Sequence, residues 1–558
     1  MKRYIRKQYK LLICTFLLCG VYSIMNVGIA VLLQSIVDIA TSKDLNNFIN
    51  LSLIAGVYII ILSGVYYIYH RTINQLSRNI IIDLRNDLFT GILQKDYERY
   101  ISNDSSVYIS ALINDINLLE SSYLIPFINL IQNSLMFIFT IILLLKYGGM
   151  ITVWLTFLLL IIMILPKKLG GIMQRKQIKL SNEMKSFTET IRDYLFGYEV
   201  IHNACIQNTI IHKFKDENML VALRKFDRDN MIFISDSISC LLASFMQISI
   251  VFIGVFSIIK GSMTIGVVTA LIQLCNMFTT PVSAIIQDLS EIKSAEPIVE
   301  KIEKFIQYTE KCDISHLNKI YSIRMENVYF KYPLKKLNTL EIQNLQIQQG
   351  KKYLITGKSG CGKSTLLKLF TGHFKQYEGN IFFNDIELRR INEKDIYQKI
   401  AIIDQNIFLF NTSIIDNITL GQEYSNSDIE YAIKMSGVDK FIDRISRGLN
   451  ARIGENGREL SGGQRQRIAI ARALIQKKEI LILDESISSI DKQTRDDIEN
   501  KILSISDIIL INVSHELKEV SMNKYDEIIF IEDGKISEIG SYDELKCKRG
   551  EFQKYLTS

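Results

Sequence analysis

GKSGCGKSTLL, running from Gly357 to Leu367, decides what kind of domain the second half of this chain builds. It fits G-x-x-x-x-G-K-[ST], with Gly357, Gly362, Lys363 and Ser364 at the fixed places. The apolar run KKYLIT before it reads as a strand and TLLKLFTGH after it as a helix, which is the context such a loop requires. From Gly357 through Lys358, Ser359, Gly360, Cys361 and Gly362 to Thr365, backbone N–H groups are expected to point at phosphate oxygens, helped by the helix dipole. Lys363 is expected to reach the β- and γ-phosphates and the Ser364 hydroxyl to coordinate Mg²⁺.

Downstream, EILILDES reads as an apolar strand ending in two carboxylates, Asp484 and Glu485. The bland alternative is a buried strand with an acidic helix cap. Beside a phosphate loop, Asp484 suits a Mg²⁺-holding role and Glu485 a role in polarising an attacking water. From IRMENVYFKYP onward, strands and helices alternate to the end of the chain, which predicts an α/β domain with a largely parallel or mixed sheet.

RELSGGQRQRIAIARAL is the third marker. Its loop, Leu460 to Gln464, leads into a basic amphipathic helix whose N-terminus carries Ser461, Gly462 and Gly463, a second phosphate-binding surface. Here the chain resembles the ATP-binding-cassette (ABC) transporter family, whose LSGGQ signature stands unaltered. The resemblance implies a dimer in which each ATP lies between the phosphate loop of one domain and Ser461, Gly462, Gly463 and Gln464 of the other. It also implies that Tyr332 stacks on adenine, that Gln405 contacts Mg²⁺ and senses the membrane domain, and that His515 contacts the γ-phosphate. IGENGRE, with Gly454, Glu455 and Gly457, resembles the segment typical of exporters. SSID, Ser488 to Asp491, departs mildly from the usual SALD.

The first half is of another kind. Charge-free windows run over Leu11–Val37, Leu45–Tyr69, Ser121–Leu145, Tyr147–Pro166, Ser237–Ile259 and Gly261–Gln287, each long enough to cross about 30 Å of hydrocarbon as a helix. Any one of them could be a buried core helix; six in succession argue for spans. The first follows a basic start, but its apolar part is far longer than a secretory signal core of roughly 7–15 residues. Lys and Arg crowd the two long connections, including Arg71, Arg78 and Arg85, then Lys167, Lys168 and Arg175. The three short connections carry only Lys43, Lys146 and Lys260. This asymmetry predicts a multi-pass cell-membrane protein with its N-terminus and everything after Asp288 in the cytoplasm. The net charge of +6 then follows from topology and calls for no nucleic-acid partner. Ile80–Leu93 and Lys176–Val200 have helical spacing, so the spans should continue beyond the bilayer.

The predicted fold is therefore an α-helical membrane domain of six spans with long cytoplasmic extensions over residues 1–293, a linker over 294–320, and an α/β P-loop ATPase domain over 321–558. In the membrane half, KGSMTIGVVTAL and LFGYEVIHNA resemble segments of such exporters. The family implies an ATP-driven exporter working as a dimer, homodimeric or paired with a different half, with ATP and Mg²⁺ as cofactors. An ATP-gated channel or sensor is the alternative. Asn129, Gln132 and Asn133 share one helix face in the third window, where they either line a path or bond between helices. The charge-free spans suit an amphipathic cargo such as a peptide (a bacteriocin, for example), a lipid or a drug. No peptidase domain precedes the first window, so leader removal is not expected of this chain.

Eight cysteines without CxxC or Cys/His spacing support neither a disulfide framework nor a zinc site. Cys361 leaves two readings open. Lys363 and a helix N-terminus should favour its thiolate, making the loop thiol-sensitive; alternatively it is a small residue tolerated where many relatives have serine.

Overall fold

The computed structural model describes residues 1–147, 149–307, 317–332, 338–485, 490–515, 519–548 and 550–557. The chain divides into two compact units, Met1–Leu93 with Asp104–Gln307, and Gln94–Asn103 with Tyr308–Ser558.

The first unit is helical throughout. Long helices cover Tyr9–Ser42, Leu45–Leu93, Ile125–Tyr147, Gly149–Phe196, Gln207–Ile259 and Ile265–Ser294. Leu45–Leu93 has 49 residues, which at 1.5 Å per residue is about 74 Å, more than twice a bilayer core. The spans thus run on as helices, and Ile80–Leu93 is part of one of them. Lys176–Val200 is interrupted, because its helix ends at Phe196 and a short one resumes at Tyr198.

Among the described residues, four helices are long and apolar enough to cross a membrane: Tyr9–Ser42, Leu45–Leu93, Ser105–Tyr147 and Ile265–Ile306. The window 147–166 falls on the Gly149–Phe196 helix, where most side chains lie outside the described residues. The fifth window is described as a shorter apolar stretch, Ser244–Ile259. Apolar side chains stand in the open on these helices, Ile60 at 72% and Leu53 at 67% exposure. Surfaces of that kind are stable against hydrocarbon and not against water.

Between these helices the polar face of the third window finds protein partners. Tyr69 Oη donates to Gln132 Oε1 at 3.0 Å, and Asn133 Nδ2 donates to Asp288 Oδ2 at 3.2 Å. Both amides therefore hold helices together, as polar groups in hydrocarbon must. After the last long helix, Glu296–Ile306 forms another within this unit, with Lys301 paired to Asp115 at 2.6 Å. Residues 308–316 of the expected linker, and Cys312 with them, lie outside the described residues.

Among the described residues, the second unit is built on one sheet of ten strands: β1 Ser322–Phe330, β2 Leu340–Gln348, β3 Lys352–Thr356, β4 Glu378–Phe383, β5 Ile386–Glu387, β6 Ile400–Ile403, β7 Ile480–Asp484, β8 Ile509–Val513, β9 Glu527–Glu532 and β10 Lys535–Gly540. Their order is β5-β4-β1-β2-β10-β9-β3-β8-β7-β6. Strands β9, β3, β8, β7 and β6 are mutually parallel, whereas β1 pairs antiparallel with β2 and β4. The sheet is mixed, as the alternation of elements predicts.

Parallel strands buried on both faces read as continuous apolar runs, and ILILD and ILINV are such runs. Successive side chains still go to opposite faces. Tyr353 and Ile355 of β3 and Ile480 and Ile482 of β7 join one core with Leu366 and Phe370 of the helix Lys363–Phe370. Leu354, Leu481 and Leu483 join the other, with Ile470 and Ile498. A third cluster, containing Leu409, Ile414, Ile418 and Ile468, sits under a helical lobe around the helix Gly462–Leu474.

Candidate nucleotide site

Four neighbouring parallel strands, β3, β8, β7 and β6, end side by side. Their registers pair Ile355 with Val513, Asp484 with Val513 and Ile403 with Leu483. The residues that follow each strand therefore emerge at one edge: Gly357 after β3, His515 after β8, Glu485 after β7 and Gln405 after β6. Ligands of open α/β sheets bind at this carboxyl edge.

The phosphate loop turns there by glycine geometry. Gly357 has φ +148°, and a Cβ on it would lie 2.1 Å from the backbone oxygen of Ile531. Gly360 has φ +82° with open space around it. Lys363, only 5% exposed, sends Nζ back to the carbonyl oxygens of Gly357 at 2.9 Å and Lys358 at 3.0 Å. Burial pulls its amine below the usual lysine range, while the charges of Asp484 and Glu485 oppose that shift. A buried cation in a glycine cradle at a helix N-terminus fits the phosphates of a nucleotide.

Around it the carboxylates take separate positions. Asp484 bonds the Ser364 side chain, and burial together with the neighbouring charge of Glu485 raises its carboxyl above the ordinary range. Glu485 adopts φ +49°, an uncommon backbone state for this residue. Its Oε1 lies 2.7 Å from His515 Nε2, and its Oε2 accepts from Gln405 Nε2 at 2.7 Å. A carboxylate gripped from both sides in this way is fixed in rotamer. Gln405, with its amide nitrogen engaged, keeps its Oε1 for another partner. Ser364, Asp484 and Gln405 thus supply hard oxygen donors of the kind Mg²⁺ takes beside nucleotide phosphates.

Tyr332 stands at the loop's flank, its hydroxyl 3.2 Å from Thr365 Oγ1 and its ring edge-on to Phe330 and Phe374. Cys361 departs from the reading that made it a thiolate. It is 7% exposed and belongs to the hydrophobic core. Burial pushes its thiol up, outweighing Lys363. The Cys361 side chain packs into that core, and its backbone N–H donates to the Lys358 carbonyl oxygen at 3.3 Å, so in this structure it is not turned toward a phosphate as the loop pattern predicts.

The signature segment stands apart from this edge. Ser461 caps the helix Gly462–Leu474 in a capping box: Gln464 N–H donates to Ser461 Oγ at 3.3 Å, and Ser461 N–H to Gln464 Oε1 at 2.8 Å. Gly462 and Gly463 leave the helix N-terminus bare of side chains. Among the described residues no hydrogen bond or ion pair joins Ser461–Gln464 to the chain's own phosphate loop. Ser488 and Ser489 lie outside the described residues, and Asp491 caps the helix Lys492–Leu503 through Thr494 N–H at 3.0 Å.

One group of residues escaped the sequence reading. The segment Gln94–Asn103 clusters with the second unit, where the Tyr97 ring stacks on His373 with centroids 3.8 Å apart. The Tyr97 N–H also donates to Glu393. His373 is pushed down to about 4, first by burial and then by Lys368. The only signal available was the break in helical spacing at QKDYERY.

Comparison with known proteins agrees with this geometry. Residues 10–282 match the model of the ABC transporter transmembrane region, and residues 340–488 match that of the ABC transporter. The chain is 28% identical over 550 residues to an export ATP-binding/permease protein of Rickettsia typhi, covering 94% of this chain and 93% of that protein. It is 27% identical over 503 residues to an ATP-dependent lipid A-core flippase of Salmonella typhimurium, covering 88% and 85%. A bacterial Atm1-family ABC exporter solved with ATP bound shares the fold, with a TM-score of 0.86 at 17% identity over 98% of both chains.

Proposed function

Because this chain belongs to the ABC transporter family, with the membrane region and ATPase fused in one half-transporter, we propose that two copies form a homodimer with two composite ATP sites. The chain is a membrane-embedded ABC exporter that binds and hydrolyses ATP to drive transport. The proposal adds roles for residues, subunit composition, orientation and the class of cargo.

In this reading the phosphate loop and Lys363 hold the nucleotide, Tyr332 carries the adenine, and Ser461 to Gln464 of the opposite copy close over the γ-phosphate. Ser364, Asp484 and Gln405 would hold Mg²⁺, whose charge offsets that of the phosphate oxygens when it is bound. Glu485 accepts a hydrogen bond from the attacking water and turns its lone pair toward phosphorus. His515 and Gln405 keep that carboxylate aimed, and His515 also reaches the γ-phosphate. One observation carries the assignment: the Glu485 carboxylate is held between His515 and Gln405, both at 2.7 Å.

Six spans, with the N-terminus and ATPase unit in the cytoplasm, are supported by the clustering of Lys and Arg in the two long connections. An amphipathic cargo is supported by the charge-free windows; a lipid is one member of that class, and the relative from Salmonella typhimurium is named an ATP-dependent lipid A-core flippase.

Glu485→Gln tests the core of the reading. The variant should bind ATP normally while turnover falls by roughly 10²–10⁴, the usual contribution of a positioned base. In proteoliposomes, ATP-dependent accumulation of cargo should be lost with it. Retained hydrolysis would sink the assignment of Glu485.

A further inference from the structure

The amino-terminal end of the first long helix carries a feature that ATP chemistry does not use. A cavity of about 240 Å³ opens there, lined by apolar side chains that include Ile13, Phe16 and Leu17 of the helix Tyr9–Ser42, Tyr69 of Leu45–Leu93, and Ile128 and Ile131 of Ile125–Tyr147. Ile13, Phe16 and Leu17 are exposed. Immediately before it, the short helix Lys2–Lys7 is pinned along one face. The Met1 ammonium pairs with Glu303 at 2.9 Å, Tyr4 Oη donates to Asp87 at 2.8 Å, and Lys7 pairs with Asp83 at 3.0 Å.

Among the described residues, that anchoring leaves three other cations, Arg3, Arg6 and Lys10, of which the last two lie nearest in sequence to the cavity residues. Arg6 and Lys10 are exposed, and among the described residues neither has an ion-pair partner. Lys10, Ile13 and Leu17 follow at i, i+3 and i+7, so they share one face of their helix. From Lys10 to Leu17 the axis rises about 10 Å. A positive charge therefore shares the helix face of two cavity-lining residues and precedes them along the axis, the order in which a phosphate precedes its acyl chain.

We propose that this corner binds one anionic phospholipid of the surrounding bilayer, with an acyl chain in the cavity and the headgroup phosphate on Arg6 and Lys10. The lipid is a resident ligand of the membrane unit and not its cargo. Charge complementarity selects it, because a zwitterionic lipid fills the cavity equally well but gains little from the two cations. The site rests only on the chain being embedded in a membrane, so it stands or falls independently of the roles given to Glu485 and its neighbours.

The test uses the full chain in nanodiscs of phosphatidylcholine. Trp154 is the single tryptophan, so Trp154→Phe with Phe16→Trp puts one fluorophore at the cavity, and retained ATPase activity certifies the fold. Phosphatidylglycerol brominated on its acyl chains should quench at a much lower mole fraction than brominated phosphatidylcholine. Arg6→Gln and Lys10→Gln should each reduce that preference about fivefold, the weight of one cation near an anionic surface. Inorganic phosphate should leave the quenching unchanged. Equal quenching by the two lipids, a preference that survives the double variant, or displacement by inorganic phosphate each overturns the proposal. If the tryptophan variant loses activity, native mass spectrometry of the unaltered chain decides the matter: phosphatidylglycerol should be retained over phosphatidylcholine, and the Arg6→Gln/Lys10→Gln pair should abolish the difference.

Discussion

Replacing Gly357 and Gly360 by alanine, one at a time, separates two constraints on the phosphate loop. Both glycines have positive φ, +148° and +82°. An alanine held in such a state costs about 1–2 kcal/mol. At Gly360 nothing lies within 4 Å of the added Cβ, so strain in φ is the whole effect. At Gly357 the Cβ meets the Ile531 oxygen at 2.1 Å. That atom belongs to the backbone of β9, which pairs with β3, so it cannot rotate away as a side chain would. Forcing the loop and β9 apart adds about 1–3 kcal/mol, the usual cost of overpacking. For a unit of this size each kcal/mol moves the unfolding midpoint by about 2–4 °C. Thermal unfolding of the full chain without nucleotide should then rank Gly357→Ala clearly below Gly360→Ala, and Gly360→Ala modestly below the unaltered protein. Equal midpoints for the two variants would refute the idea that close approach to β9, beyond φ alone, fixes the loop.

Other consequences follow from the same site and its surroundings. N-ethylmaleimide at neutral pH should label Cys361 far more slowly than the exposed Cys205 and Cys547, with Cys361→Ser remaining active; mass spectrometry of labelled peptides checks this, and fast ATP-protected labelling of Cys361 would restore the reactive reading. His373 titrates near 4 instead of its ordinary 6.5, so between those values the unfolded chain binds the extra proton. Stability linked to His373 is complete above about pH 6.5 and is lost as pH falls toward 4, by about 3 kcal/mol at most. His373→Phe should keep the stack on Tyr97 and flatten the pH profile of the midpoint across that window; an unchanged slope would exclude His373 as its source. Lys363→Ala should abolish ATP binding, measured by fluorescent-nucleotide titration, while leaving the midpoint without nucleotide within a few degrees.

Much of the nucleotide site was legible because it is local in sequence. Gly357 to Thr365 form one turn, Asp484 and Glu485 are adjacent, and Ser461 caps its own helix. The sheet joins these pieces, and the apolar runs around KKYLIT, ILILD and ILINV announced the strands that do so. What escaped depends on distant partners. Gln132 and Asn133 show an amide face in the sequence, but their partners Tyr69 and Asp288 are 63 and 155 residues away. The thiolate reading of Cys361 rested on Lys363, which is visible in the sequence, whereas the core that buries the thiol and favours the other reading is assembled from strands far along the chain. Tyr97 looked like part of a connection between spans, and no local pattern could assign it to His373.

Two backbone hydrogen bonds at the sheet's edge have a use of their own. Glu485 N–H donates to Val513 O at 3.1 Å and Ser514 N–H to Ile355 O at 3.2 Å, each one residue beyond its strand. They stitch β7 to β8 and β8 to β3 where a ladder frays first. Amide hydrogen exchange at these two positions therefore reads the site directly: while both resist deuterium, the carboxylate, the histidine and the phosphate loop share one frame. A rise in their exchange ahead of Leu481 or Ile511 would signal that hydrolysis is lost by local opening while the domain remains folded.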